Sequence, residues 1–326
     1  MKTIAHEFLE IENEDFPVSD TARENLEKIL TESESKVKLD SKPVTTLDSI
    51  GNLLKEQGFV YLENGLLGTA LEEKQMDCRG YSVLYYSIGE KLSLPIKIIS
   101  APDHLLVRWE DSKIQINWES AKGCKVNDEV YSNYRRILEE FIANGTFFRN
   151  LNQEEIIGIA YETRGIEKAR LGKHKEAIED YDIAISKNPN YETMFNNRGV
   201  EKGKISDFQG AIDDLSRSVD IYPYKSITWL NLSTPLMRTK KYQKALEAIN
   251  NALILGLKQP EIFYQRACAF FNLRNYKECI DDCDNSLRLN PGLKESYLLR
   301  SQAYLRLGDI VNSEKDLKSF LSGVPE

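Results

Sequence analysis

A cysteine and a histidine in the first half of the chain are spaced as a nucleophile and its base would be. Cys78 follows Asp77, which can cap a helix whose first residue is Cys78. A thiol at a helix N-terminus is favoured as the nucleophilic thiolate, because the helix dipole and the unpaired backbone amides stabilise its charge. His104 lies further along the chain and can take the thiol proton. The pair predicts cysteine-dependent attack on a carbonyl group.

One helix and a small sheet must bring these two residues together. Apolar residues recur at helical spacing from Tyr81 to Leu92, and a proline soon follows. Three β-rich runs come next, over residues 96–100, 104–109 and 113–118. Only three residues separate the last two runs, which predicts an antiparallel hairpin with His104 across from residues 117–119. Asn117 and Glu119 share a face of that strand, so either of them can orient the imidazole.

The string DC-x-GYS-x-LYYSIGE, with SAP-x-H-x-x-VRW and NWE after it, is similar to the corresponding part of transglutaminase-like thiol domains. Such domains precede tetratricopeptide arrays in some bacterial proteins, and the resemblance covers about residues 70–125. It implies that Cys78 is the nucleophile and His104 the base. It also implies Glu119 as the orienting residue, with Asn117 as the alternative by analogy with papain-like sites. The backbone amide of Cys78, helped by Gln75, would donate hydrogen bonds to the oxyanion.

Two positions depart from the pattern of the resembling domains. Asp103 precedes His104 where those domains tend to have glycine, and at close range its charge would raise the imidazole pKa. Ser120 follows Glu119 where those domains have proline or threonine. Both departures are compatible with a domain that keeps the fold and has lost turnover. Taken singly, a cysteine in the core and a hydrogen-bonded histidine would also explain Cys78 and His104.

The second half of the chain carries a 34-residue period. An aromatic residue recurs at this step (Tyr161, Phe195, Trp229, Phe263 and Tyr297), and so does a small residue sixteen places later (Ala177, Ala211, Ala245, Cys279 and Ser313). The period is that of a helix–turn–helix unit that buries its apolar face only by stacking on its neighbours. By period and pattern, residues 158–326 resemble the tetratricopeptide (TPR) family, with repeats near 158–191, 192–225, 226–259, 260–293 and 294–326.

Two further rows with the same period predict an ion pair inside each repeat. An arginine stands three residues after the aromatic and an aspartate sixteen residues further on, giving Arg164–Asp180, Arg198–Asp214, Arg266–Asp282 and Arg300–Asp316. The third repeat lacks both charges and has Leu232 and Ala248 instead. Because the two charges are present together and absent together, we expect a bridge between the two helices of a repeat, replaced by an apolar contact in the third.

A basic row at the end of the first helices suggests a binding surface. It consists of Arg170, Lys204, Arg238 and Arg306, with Asn272 in the fourth repeat. In TPR proteins the first helices line a concave groove, so this row would suit an acidic peptide or a free carboxylate. Asn197 and Asn231, at equivalent positions, would contact the peptide backbone. The alternative is a structural role, since cations near a helix C-terminus are favoured by the helix dipole.

Composition and charge narrow the range of partners. The net charge of −8 lies in residues 1–75, with sixteen acidic and eight basic residues, so no surface for a phosphate backbone is expected and nucleic acid is not a predicted partner. No apolar run approaches the ~20 residues that cross a bilayer. The first residues also lack the apolar stretch of a secretory signal, so a cytoplasmic location is expected.

Metal and cofactor sites are not predicted either. Five cysteines without a Cys-x-x-Cys pair argue against a disulfide framework and a structural zinc site. Cys279 and Cys283 occupy repeat positions that otherwise carry apolar residues, which predicts that they are buried in the core. No glycine-rich phosphate loop is present.

Together these patterns predict an α+β domain followed by an all-α TPR superhelix of five repeats. The transglutaminase-like domain would span residues 1–150, including an acidic helical segment at its start, and the repeats residues 151–326. One functional hypothesis is a cysteine hydrolase or acyl-transferase whose peptide or amide substrate is recruited by the repeats. The other is a non-catalytic interaction protein with an inactive thiol domain. Hydrolysis and acyl transfer are both left open, as is the oligomeric state.

Overall fold

A computed structural model describes residues 2–62, 65–102, 104–126 and 139–322 of the chain. It divides into two compact units, Met1–Asn197 and Arg198–Glu326. Asp103, most of a helix that the sequence predicts over residues 130–141, and Pro325, which ends the last predicted repeat, lie outside the described residues. The first unit therefore contains both the predicted thiol site and the first repeat.

The residues before Cys78 form short helices and a small parallel pair of strands. In chain order these are α1 (Ile4–Asn13), α2 (Asp20–Lys36), α3 (Pro43–Glu56), β1 (Val60–Tyr61), α4 (Leu67–Glu73) and β2 (Gln75–Met76). Ser19 caps α2 by accepting a hydrogen bond from the amide of Ala22, and Pro43 begins α3. Because β2 pairs with β1, the backbone just before Cys78 is held in place.

The predicted helix and hairpin are present. Helix α5 (Cys78–Leu92) is followed by an antiparallel sheet in the order β3 (Ile96–Ala101), β4 (His104–Glu110), β5 (Gln115–Glu119) and β6 (Cys124–Lys125). Val107 lies opposite Trp118, which makes Glu119 a diagonal neighbour of His104 on the same sheet face. The other face packs on α5, where Leu105 and Val107 share a buried core with Leu84. A short helix, α6 (Glu139–Ala143), follows the sheet.

The repeats are pairs of helices, as the period predicts. The first and second helices of each pair are α7 (Gln153–Arg170) and α8 (His174–Lys187), α9 (Glu192–Lys204) and α10 (Phe208–Ile221), α11 (Ser226–Arg238) and α12 (Tyr242–Ile254), α13 (Pro260–Asn272) and α14 (Tyr276–Leu289), α15 (Lys294–Leu307) and α16 (Ile310–Ser322). Each recurring aromatic lies in a first helix and each recurring small residue in a second helix. Ala177, Ala211 and Ala245 are fully buried, which lets the helices approach closely.

The Arg–Asp bridges are confirmed. Both oxygens of Asp282 accept hydrogen bonds from Arg266, at 2.6 and 2.7 Å, and the other three pairs have the same two-bond geometry. Leu232 and Ala248 lie in one apolar cluster in the third repeat, so the apolar replacement is confirmed as well. Cys279 and Cys283 are buried in the apolar cluster of the fourth repeat, as predicted.

In the first repeat the bridge extends to the N-terminal helix. Arg164 donates a hydrogen bond to the carbonyl of Ile11 at 2.7 Å, and Lys168 lies within 2.9 Å of both Asp15 and Asp180. The first repeat and α1 therefore belong to one packed body. Among the described residues, every helix is too short or too polar to span a bilayer.

Candidate thiol site and repeat surface

Cys78 begins α5 because Asp77 caps that helix. One carboxylate oxygen of Asp77 accepts hydrogen bonds from the backbone amides of Arg79 and Gly80, at 2.9 and 3.1 Å. The amide of Cys78 itself is not used by this cap. The Cys78 side chain is partly exposed, so a small reagent can reach it. The sequence therefore predicted both the position of this thiol and its cap.

His104 is held between the thiol and a carboxylate. Its Nε2 lies 2.6 Å from Oε2 of Glu119, and both side chains are about nine-tenths buried, at 10% and 8% exposed. A side-chain hydrogen bond links the Cys78 thiol to the imidazole. Since Glu119 occupies Nε2, the remaining ring nitrogen, Nδ1, is the one available to the sulfur. The structure thus brings the three residues together in the order Cys78, His104, Glu119.

The charge of His104 follows from these two neighbours. Burial on its own would lower the imidazole pKa. The hydrogen bonds to the Cys78 thiol and the Glu119 carboxylate, and then their charges, outweigh burial and raise the pKa of His104 from 6.5 to about 9. At neutral pH the ring is therefore an imidazolium, the form that stabilises an adjacent thiolate.

Asn117 and Gln75, the other two residues predicted for this site, have different surroundings. Asn117 lies on the same sheet face as Glu119, but its Oδ1 accepts a hydrogen bond from Nε of Arg108 at 2.7 Å. Glu119 instead accepts the 2.6 Å hydrogen bond from Nε2 of His104, which favours Glu119 as the orienting group. Gln75 is partly buried on β2, three residues before Cys78, where it pairs with Val60. Its role at an oxyanion stays a prediction.

Arg79 is a charged neighbour of the thiol that the sequence patterns did not select. Its Nε and Nη2 lie 2.7 and 2.6 Å from one oxygen of Asp77. Burial opposes its charge, but Asp77, Glu162 and Cys78 outweigh that effect and raise the pKa of Arg79. Arg79 also lines a small cavity together with Thr163 of α7. Only its position directly after Cys78 in the sequence could have indicated it.

Part of the predicted basic row meets in one cavity of the second unit. Lys204, Asn231 and Arg238 line a space of about 470 Å³ between α9 and α11. Its remaining walls are mainly apolar or small, with Val200, Leu215 and Pro235 among them. Lys204 also donates to Glu201 at 2.8 Å, whereas Arg238 makes no ion pair among the residues that the structure describes. An anionic group flanked by an apolar side chain would fit this cavity.

Three other residues are predicted for the groove. Arg170 is exposed and makes an ion pair with Glu167 of its own helix at 2.5 Å. Asn197 donates a hydrogen bond to Oε1 of Glu162 at 3.3 Å. Arg306 is exposed near the end of α15. The role of these three residues in a groove stays a prediction.

No group of three or more His, Cys, Asp or Glu side chains in the described ranges could hold a metal ion. The site is built from a thiol, an imidazole and a carboxylate, which suits covalent attack on a carbonyl.

Comparisons with known proteins assign the chain to no family. No protein-family model matches the chain. A search of curated proteins finds no match either. Solved structures with a similar fold include a MamA protein, 19% identical over 51% of this chain and 91% of that one, with a TM-score of 0.49. They also include MamA from Desulfovibrio magneticus, at 14% identity over 51% and 93% of the two chains and a TM-score of 0.49. YrrB, described as a TPR protein with an unusual peptide-binding site, is 14% identical over 57% of this chain and 90% of that one, again with a TM-score of 0.49. Each likeness covers about half of this chain at no more than 19% identity.

Proposed function

We propose that this protein binds a protein or peptide through its helical repeats and that its N-terminal unit carries a thiol site acting on an acyl group. The two parts are supported by different observations and can fail separately. The binding part rests on the cavity between α9 and α11, in which Lys204 and Arg238 flank apolar walls. A peptide with a carboxylate beside an apolar side chain is the ligand that this lining favours.

The catalytic part rests on one observation, the hydrogen-bonded series of Cys78, His104 and Glu119. In the reaction that we propose, the Cys78 thiolate attacks the carbonyl carbon of a peptide or amide substrate. The carbon–nitrogen bond then breaks, and the imidazolium of His104 gives its proton to the leaving amine. Water or a second amine next attacks the thioester, loses a proton to His104 and releases the Cys78 thiolate. Glu119 keeps the imidazole oriented throughout.

A non-catalytic adaptor is the alternative function. Helical repeats make up about half of the chain and suffice for protein binding without any chemistry. The adaptor has the wider support, because the repeats are seen directly whereas turnover is inferred from the arrangement of three side chains. Under this alternative the transglutaminase-like resemblance concerns fold alone.

The rate at which iodoacetamide modifies Cys78 as a function of pH distinguishes the two functions. Peptide mass spectrometry reports Cys78 separately from Cys124 and the cysteines of the repeats. If the site is a catalytic one, Cys78 reacts well below the ~8.5 midpoint of a free cysteine, and His104→Ala abolishes this shift. If Cys78 reacts like an ordinary thiol in wild type and in His104→Ala, only the adaptor function is supported. Cys124, which is exposed, serves as the internal control.

The binding part is tested by using the Cys78→Ala variant to capture binding partners, because this variant can bind an acyl-donor substrate but cannot turn it over. A partner captured by this variant and lost on the additional change of Lys204 and Arg238 to glutamate supports the repeat cavity. Capture that is unaffected by the charge reversal contradicts it.

A further inference from the structure

The last helix of the array, α16, exposes four large apolar side chains. Leu317 and Leu321 are 41% and 74% exposed, and Ile310 and Val311 are exposed as well. At 3.6 residues per turn, all four lie within about 120° of the helix circumference. We call these four residues the end face. A contiguous apolar patch of this kind is typical of a binding surface.

The position of Leu317 is buried in each of the four earlier repeats, where it is occupied by Tyr181, Leu215, Ile249 and Cys283. In the second repeat, Leu215 belongs to one apolar cluster with Leu232 and Leu236, which lie on the first helix of the next repeat. The end face therefore continues the surface on which one repeat stacks on another. A helix is the element that fits such a surface.

Two positions of α16 depart from this stacking surface. Glu314 is exposed where the second, third and fourth repeats have the buried apolar residues Ile212, Leu246 and Ile280. Val311 is apolar where the four earlier repeats have Lys175, Gln209, Gln243 and Lys277. The partner that fits this face therefore differs from an ordinary repeat, because it needs a cation opposite Glu314 and an apolar side chain opposite Val311.

A second copy of α16 supplies both groups. Val311, Glu314, Lys318 and Leu321 are spaced by three, four and three residues, so they form one stripe along the helix. When two such helices lie antiparallel, with the two-fold axis level with Asp316, Glu314 of each copy faces Lys318 of the other. The same register places Val311 opposite Leu321, because both pairs are symmetric about that level. Each contact is then made twice, as in any two-fold interface.

We propose that two copies of this chain associate through the end face, with their α16 helices antiparallel and Glu314 of each copy paired with Lys318 of the other. The apolar side chains leave water on association, and the charge pairs fix the relative direction of the two helices. The proposal depends neither on the thiol chemistry nor on the repeat cavity.

Sedimentation equilibrium of the full chain measures the dissociation constant of the dimer. Wild type should change from monomer to dimer as the protein concentration rises. Leu321→Glu should weaken association by at least about a hundredfold, because each dimer loses two buried leucine side chains. Ile254→Glu is the matched control, since it changes an exposed apolar residue at the end of another second helix, α12, and it should leave the dissociation constant unchanged. If circular dichroism shows that Leu321→Glu does not fold, Val311→Lys takes its place and restores the residue type of the first and fourth repeats.

Charge reversal tests the antiparallel register. Glu314→Lys and Lys318→Glu each bring like charges together at both contacts and should weaken self-association by roughly tenfold. An equimolar mixture of the two variants restores opposite charges at both contacts and should form mixed dimers with the affinity of wild type. Native mass spectrometry detects the mixed dimers when one of the variants is isotopically labelled.

Three results would overturn the proposal. A wild type that stays monomeric at every concentration would show that a second copy does not cover the end face. A dimer that Leu321→Glu does not weaken would have to form through a different surface. Charge variants that form no excess of mixed dimers would contradict the pairing of Glu314 with Lys318.

Discussion

The protonation state of His104 is the most direct test of the thiol site. Cys78 and Glu119 raise the pKa of His104 from 6.5 to about 9 against the opposing effect of burial. We expect Glu119→Gln to lower this pKa by at least one unit, because the amide keeps a hydrogen-bond acceptor and removes the negative charge. Cys78→Ala should lower it as well. For a pKa lower by one unit, the charged fraction of the imidazole at pH 7.5 falls from about 97% to about 76%.

The same shift predicts how stability depends on pH. The imidazole binds its proton more tightly in the folded state, so its contribution is complete below pH 6.5 and is lost as pH rises towards 9. A difference of this size corresponds to about 3 kcal/mol of unfolding free energy. The side chain is only 10% exposed, so solvent screening removes little of this value. Glu119→Gln should therefore be less stable than wild type at neutral pH, and most of this difference in unfolding free energy should disappear as the pH rises to 10.

Nuclear magnetic resonance of the histidine ring protons measures this pKa directly. The chain has three histidines, and His6 and His174 act as internal references because neither lies on α5 or on the sheet. Assignment of the third signal to His104 is verified by its loss in His104→Gln. A wild-type midpoint near 6.5, or one that does not move in either variant, refutes the arrangement of charges described for this site.

Three further predictions concern the repeats. Asp282→Ala leaves the largely buried Arg266, whose side chain is 22% exposed, without its partner and should lower the unfolding free energy by about 3 kcal/mol in thermal denaturation. The double variant with Arg266→Leu copies the third repeat and should regain most of this stability. Equal melting temperatures for Asp282→Ala and wild type would contradict the bridge. Gly199→Ala places a Cβ 2.7 Å from Cγ of Leu215 and should destabilise the protein by about 1–3 kcal/mol. Gly203→Ala, on the same helix with its nearest neighbour, Ala211, at 3.9 Å, should change the melting temperature little. Arg238→Ala should weaken binding of an acidic peptide by roughly tenfold in isothermal titration, as expected for one charge-assisted hydrogen bond. Arg306→Ala serves as the control and should leave the affinity unchanged. Equal effects of the two variants would show that the cavity does not bind the peptide.

Elements defined by local pattern were predictable from the sequence. Asp77 capping a helix at Cys78, the hairpin that presents His104, and the helix pairs with their Arg–Asp bridges all follow from spacing within about forty residues. The bridges were recognisable because the charges appear and disappear together, as Leu232 and Ala248 show in the third repeat. Such joint variation carries information about contact even within one chain.

Contacts between distant segments were not predictable in this way. Glu119 and Asn117 share a face of β5, and nothing in their spacing says which of them reaches His104. Asn117 does not orient His104 because its Oδ1 accepts a hydrogen bond from Arg108. That hydrogen bond depends on the register of β4 and β5. The grouping of Lys204 with Arg238 likewise depends on neighbouring helices and not on the period that the residues share. Arg170, in contrast, pairs with Glu167 of its own helix.

The position of the first repeat shows why a division of function at residue 150 stays a prediction. Repeat counting assigns α7 to the array, yet its Arg164 and Lys168 are 5% and 6% exposed and bond to Ile11 and Asp15 of the N-terminal segment. These two buried cations are satisfied by Asp180 of the same repeat together with acceptors of the N-terminal segment, which lies about 150 positions earlier in the chain. The same helix carries Thr163, which lines a small cavity together with Asp77 and Arg79 at the start of α5. The first repeat is therefore part of the structure that holds the candidate thiol.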